Sequence, residues 1–158
     1  MKKVFAVELF LILLLVGVMT VLLYQKNARP DVTEADVKEM VTSVAVDTAI
    51  TPGGPLRLRR AFGLNSADHD LVVYYMPTDS LNVDEFLLIR TDEGQISDVL
   101  AAMEARIESQ LNAFENYGDH QTELLKKAEI HQFGNYICLI IAEHPEVWLD
   151  AVKTLLEV

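Results

Sequence analysis

The hydrophobic positions along the chain fall into blocks of different period, and each period predicts an element. From Leu9 to Tyr24 sixteen residues run with only Thr20 polar, behind a positive head of Met1, Lys2 and Lys3 and a lone Glu8. Counted from Val4 the block is twenty-one residues, which at 1.5 Å rise each spans about 30 Å, the thickness of a hydrocarbon core. The pattern predicts one transmembrane helix over about residues 4–24, retained as a signal anchor. Cleavage is not expected, because the best local site, after Ala28, puts Lys26 where a small residue is needed. No cysteine lies near the end of the block, so a lipidated N-terminus is not expected either. Lys2 and Lys3 nearly balance Lys26 and Arg29, but a short tail ahead of a first helix usually stays inside. Residues 30–158 are therefore expected outside the cytoplasm, in a single-pass protein of the cell membrane.

Beyond Pro30 the period becomes helical. Thr33 with Asp36 three positions on is an acidic capping box, and Val37, Met40, Val41 and Val44 repeat on one face behind it. Thr51 to Pro55 is a breaker cluster, and Leu56 to Gly63 reads as a short helix closed by its glycine. Two β-branched and aromatic runs follow, Leu71–Met76 and Glu85–Thr91, separated as an antiparallel pair would be. Ile96, Val99, Leu100, Met103, Ile107, Leu111 and Phe114 then mark a long amphipathic helix, expected to end near Tyr117-Gly118 with the glycine as C-cap. After a polar stretch with Leu124 and Leu125, the runs Ala128–Phe133 and Tyr136–Ala142 meet across Gly134-Asn135, a pair suited to a type II′ hairpin. The second run is apolar throughout, as in a strand covered on both faces. Pro145 opens a last helix whose buried side is Val147, Trp148, Ala151, Val152 and Leu155. The expected fold class is α+β: an antiparallel sheet of about four strands in two hairpin-like pairs, a long amphipathic helix and flanking helices, preceded by the transmembrane helix. Residues 1–29 are the anchor and a short linker, and residues 30–158 are the domain.

Charge narrows what this domain can meet. Residues 30–158 hold nine Lys/Arg against 23 Asp/Glu, a formal charge of −14, which repels phosphate backbones and argues against nucleic acid as partner. One cysteine, Cys138, excludes an internal disulfide or a multi-thiolate zinc site. Its apolar neighbours make it a small buried hydrophobe rather than a nucleophile.

The stretches Val83–Arg90, Arg106–Gln110, Phe114–Tyr117 and Gly134–Leu139 resemble a family of Firmicutes envelope proteins known only as a domain of unknown function. The resemblance covers about residues 33–157. It implies a signal, lipoprotein or anchored N-terminus followed by one small domain, and it brings no catalytic residues. In this chain the lipidated cysteine is replaced by the apolar block. Read physically, the same stretches hold polar strand ends, turn chemistry at Gly134-Asn135, a helix end at Tyr117, and Arg106 and Gln110 four apart on one helix face. Glu85 and Arg106 come from elements expected to pack together, so they form a candidate structural polar pair that would hold the fold or line a site.

Candidate chemistry is sparse. The four histidines show no zinc spacing, and Asp68-His69-Asp70 is the nearest approach to a ligand group, so no metal and no cofactor is expected. There is no nucleophile elbow, no Ser-x-x-Lys and no phosphate loop. Arg57, Arg59 and Arg60 hold three of the nine basic residues of the domain. They are candidate contacts to anionic envelope material, or else they neutralise acids such as Asp68 and Asp70. The sequence thus reads as a membrane-tethered, extracytoplasmic, non-catalytic domain that binds another envelope component, a protein or a wall polymer. The alternative is an envelope hydrolase with an unrecognised acidic site.

Overall fold

The structure, a computed structural model, describes residues 14–19, 32–46, 48–116 and 118–158. Residues 14–19 are helical and belong to a unit separate from the domain that begins at Val32. In that domain Thr33 caps α1 (Glu34–Val44) reciprocally. The Asp36 N–H donates to the Thr33 hydroxyl at 3.3 Å, and the Thr33 N–H donates to the Asp36 carboxylate at 2.8 Å. The chain continues through β1 (Ile50–Pro52), α2 (Pro55–Phe62), β2 (Leu71–Pro77), β3 (Glu85–Arg90), α3 (Ile96–Phe114), α4 (Asp119–Lys126), β4 (Glu129–Phe133), β5 (Tyr136–Ile141) and α5 (Pro145–Leu156). The strands form one antiparallel sheet in the order β1-β2-β3-β5-β4.

β3 and β5 lie at the centre, and every residue in them except Arg90 is buried. Strand alternation splits their side chains between two cores. Phe86, Leu88, Tyr136, Cys138 and Ile140 face α1 and α5, where Val37, Val41, Trp148 and Val152 close over them. Leu87, Ile89, Ile137, Leu139 and Ile141 face α2, α3 and α4 and meet Leu58, Phe62, Val99, Met103 and Leu125. Burying each such aliphatic side chain contributes about 1.5–3 kcal/mol, so the two cores together hold a three-layer sandwich of helices, sheet and helices.

Several expectations are corrected. The sheet has five strands, not four. β1 is three residues long and contains Pro52, so no local periodicity marks it. Its strand character comes from pairing Ile50, Thr51 and Pro52 with Pro77, Met76 and Tyr75 at the edge of the sheet, where a missing N–H is tolerated. The polar stretch before the hairpin is a helix, α4, too short for a readable apolar stripe beyond Leu124 and Leu125. Gly118 does not end α3 in a left-handed cap; its φ is −127° and it stands at the N-cap of α4. The buried side of α5 includes the expected Trp148 and Val152, with Ala151 and Leu155 half-buried against the core, but Val147 is exposed and Leu156 is buried in addition. The transmembrane helix is also corrected. Among the described residues no helix is long and apolar enough to cross a membrane. The rest of the expected anchor and linker, from Lys2 and Lys3 to Pro30, lies outside the described residues, as does Tyr117.

The final hairpin has a two-residue loop, with Phe133 opposite Tyr136. Gly134 adopts φ 62° while Asn135 does not enter positive φ, the sign pattern of a II′ turn. Gly134→Val forces a β-branched residue into that region and should lower stability by about 1–3 kcal/mol. Chemical denaturation of the two proteins measures it, and an unchanged midpoint would show that the turn does not require glycine.

Candidate functional site

Glu85 opens β3 on the face covered by α3, and its side chain has 0% exposure. A buried carboxylate must find donors or become costly, and the fold supplies three. Arg106, midway along α3, donates from Nε to Oε2 at 3.0 Å and from Nη2 to Oε1 at 3.1 Å. The Tyr74 hydroxyl, from β2, donates to Oε1 at 2.6 Å. Strand alternation explains the meeting, because Tyr74 pairs with Leu87 and so projects to the same face as Glu85. The Arg106 guanidinium lies 5.9 Å from the centroid of the Phe62 ring, and Phe62 meets Tyr74 edge-on at 5.5 Å. Gly53 completes the packing: a Cβ there would stand 2.3 Å from the Tyr74 ring, so only glycine lets the backbone pass. Burial pushes the Tyr74 phenol well above its ordinary range and Glu85 pushes it further, while Arg106 and Arg57 act the other way. Tyr74 therefore stays protonated and serves as a fixed donor.

Beside this network opens a cleft of about 560 Å³. Arg57 and Arg60 of α2 line one side, Arg106 and Gln110 of α3 another, and the loop from Thr78 to Asn82 the rim. Arg106 spends Nε and Nη2 on Glu85, which leaves the Nη1 corner of its fork unused by that pair. Among the described residues no acid lies within ion-pair distance of Arg57 or Arg60. Asp70 faces Arg90 at 3.8 Å and Asp68 accepts from the Asn65 amide at 3.1 Å, so neither neutralises them. Arg59 is turned elsewhere and donates to Asn65 Oδ1 at 3.0 Å. The structure thus gathers two of the three singled-out arginines and adds Arg106. Tyr74 and the hydroxyls and amides of the rim had no sequence signal, except that Tyr74 shares the alternation that also sets Glu85.

The remaining chemistry-bearing residues are placed apart from the cleft. His69 Nδ1 lies 2.8 Å from the Thr91 hydroxyl, which in turn donates to Gln95. His131 and His144 each contact a glutamate two residues away on the same strand or turn. Cys138 is fully buried, and desolvation pushes its thiol up to about 12. Burial also raises the half-buried Asp84 carboxyl, against a smaller opposing effect of a backbone hydrogen bond. Among the described residues no cluster of three His, Cys, Asp or Glu could hold a metal ion. Glu85, the most buried acid, has both oxygens engaged, so it offers no oxygen for acid–base work.

Removing Arg106 tests the network directly. Arg106→Ala strands the Glu85 carboxylate and should destabilise the domain by about 3 kcal/mol, whereas Glu85→Leu with Arg106→Met should recover most of that loss. Urea unfolding of the three proteins checks it; equal losses for the single and the double variant would show that the pair is not the reason.

A family model described as Domain of unknown function (DUF4358) matches residues 43–142, a span that includes Arg57, Arg60, Tyr74, Glu85 and Arg106. No curated protein and no solved structure matches the chain.

Proposed function

The chain belongs to the family described as Domain of unknown function (DUF4358), a description that carries no activity, and from the chemistry of its cleft we propose that the domain is a non-catalytic binding module. It takes an anionic group of another cell-envelope component, a protein or a wall polymer, between Arg57, Arg60 and Arg106. The observation that supports this reading is the convergence of Arg57 and Arg60, without an acid partner among the described residues, on one cleft of a chain whose net charge is −11. In so acidic a protein, cations left without local partners at a concave surface are available to a ligand. The chemistry of the lining points to holding rather than turnover. Guanidinium groups keep their proton at any physiological pH, so they bind and orient anions but do not shuttle protons.

The test uses the purified full-length protein in non-ionic detergent and, as probe, total cell-envelope material solubilised in the same detergent and immobilised. Retention should fall as salt is raised, because surface charge contacts are screened over about 8 Å at physiological ionic strength. Arg57→Ala with Arg60→Ala should reduce retention roughly fivefold or more, while Arg59→Ala should leave it within about twofold. Retention indifferent to the double substitution sinks the reading.

Residence of the domain outside the cytoplasm belongs to the same proposal, and rests on the positive head of Lys2 and Lys3 followed by an apolar block, the pattern that targets a chain for export. Protease added to intact cells stripped of their wall should digest the domain. Complete protection would place it inside.

A further inference from the structure

The charges around the cleft limit which anion it can hold. Arg57, Arg60 and Arg106 contribute three positive charges, and Asp79 on the rim contributes one negative. Glu85, directly behind Arg106 at 3.0 Å, contributes a second negative charge. The local balance is a single positive charge, which matches a singly charged oxyanion better than a doubly charged one. The donors approach from two helices and a loop rather than as one planar fork. A carboxylate is satisfied by one fork, whereas a tetrahedral group accepts from several directions. Thr78, Ser80 and Asn82 add hydroxyl and amide groups of the kind that meet hydroxylated substituents.

Resting on the binding role given above, we propose that the cleft between α2 and α3 binds an isolated phosphodiester with hydroxylated substituents, and that Glu85 is the positioning residue that sets this preference. Glu85 holds Arg106 by Nε and Nη2, turning the rest of the fork toward the cleft, and cancels one of the three guanidinium charges. Asp79 adds to the cancellation from the rim. Its Oδ1 accepts from the Leu81 and Asn82 N–H groups at 2.8 and 3.1 Å, so it is held in place. A continuous run of diesters, as in a nucleic acid, brings many charges to a chain whose net charge is −11 and is disfavoured. One diester group lies within the short range over which the arginines dominate.

The experiment titrates the full-length protein in non-ionic detergent with glycerophosphoglycerol, a singly charged diester. Glycerol 3-phosphate, doubly charged at pH 8 because its second pKa is near 6, and glycerate, a singly charged carboxylate, are the comparators. The diester should bind at least as tightly as the monoester in spite of its smaller charge, and more tightly than glycerate. Glu85→Gln should shift the ratio of the two affinities toward the monoester by roughly fivefold. Asp79→Asn, an exposed position where the amide oxygen can still accept the two loop N–H bonds, should shift it in the same direction and keeps the test valid if Glu85→Gln unfolds. Phosphatidylglycerol mixed into the micelle displaces the soluble diester if a lipid headgroup is the natural source, and leaves it bound if the source is water-soluble; either result supports the site. A tenfold preference for the monoester in the unaltered protein, glycerate binding equal to the diester, a ratio unmoved in every folded variant of the two, or no binding of the diester overturns the proposal. Envelope retention that depends on Arg57 and Arg60 would survive any of those failures, and would then require another anion.

Discussion

Two central strands without an outward face constrain the rest of this domain. β3 and β5 are buried along almost their whole length, with Leu87, Leu88, Ile89, Ile137, Cys138, Leu139 and Ile140 at 0% exposure. A sheet of this kind needs helices on both sides, because each face left in water would forgo about 25 cal/mol for every Å² of apolar surface. That requirement sets α1 and α5 against one face and α2, α3 and α4 against the other. It also brings α2 and α3 close enough for their arginines to share a cleft.

Glu85 is the polar exception at the start of β3. An ion pair buried in this way is weak grounds for stability, since desolvation offsets most of the attraction, but removing one partner is costly. Its consequence is geometric. Glu85 fixes Arg106 in one orientation, Tyr74 seals Oε1, and Gly53 gives the Tyr74 ring room. A guanidinium held by a buried carboxylate has lost much of its conformational freedom before any ligand arrives, so less is lost on binding. Arg57 and Arg60, exposed on α2, retain theirs.

Much of the local architecture was legible because it depends on neighbours in the chain. Thr33 and Asp36 cap α1 reciprocally, Pro145 opens α5, and Gly134 permits a turn that Phe133 and Tyr136 flank. The stripe from Ile96 to Phe114 became α3. The failures share a cause. β1 is a strand only because β2 lies beside it, α4 is too short for its period to be counted, and an apolar block at the N-terminus does not by its composition alone make a spanning helix among the described residues. The cleft was half legible: Arg57 and Arg60 stood out as a basic cluster in an acidic chain, but Arg59 between them turns to Asn65. Arg57 and Arg60, three apart, share a face of α2, whereas Arg59 points away from it.

What the sequence determined by itself is the set of short-range outcomes: where helices begin, which strands are apolar on both faces, that Cys138 is buried, and that the domain is acidic. Each follows from residues within a few positions of one another, where capping, period and turn chemistry act. Tertiary structure alone decided the strand order β1-β2-β3-β5-β4, the bidentate geometry in which Arg106 meets its candidate partner Glu85, the meeting of Glu85 with Tyr74 across 11 positions, and the side of α2 that faces the cleft. Those depend on register and on how helices lie across a sheet, and a shift of one residue would turn Glu85 to the opposite core. Local propensity carries no information about that choice; it is made only when both faces of the central strands are covered at once.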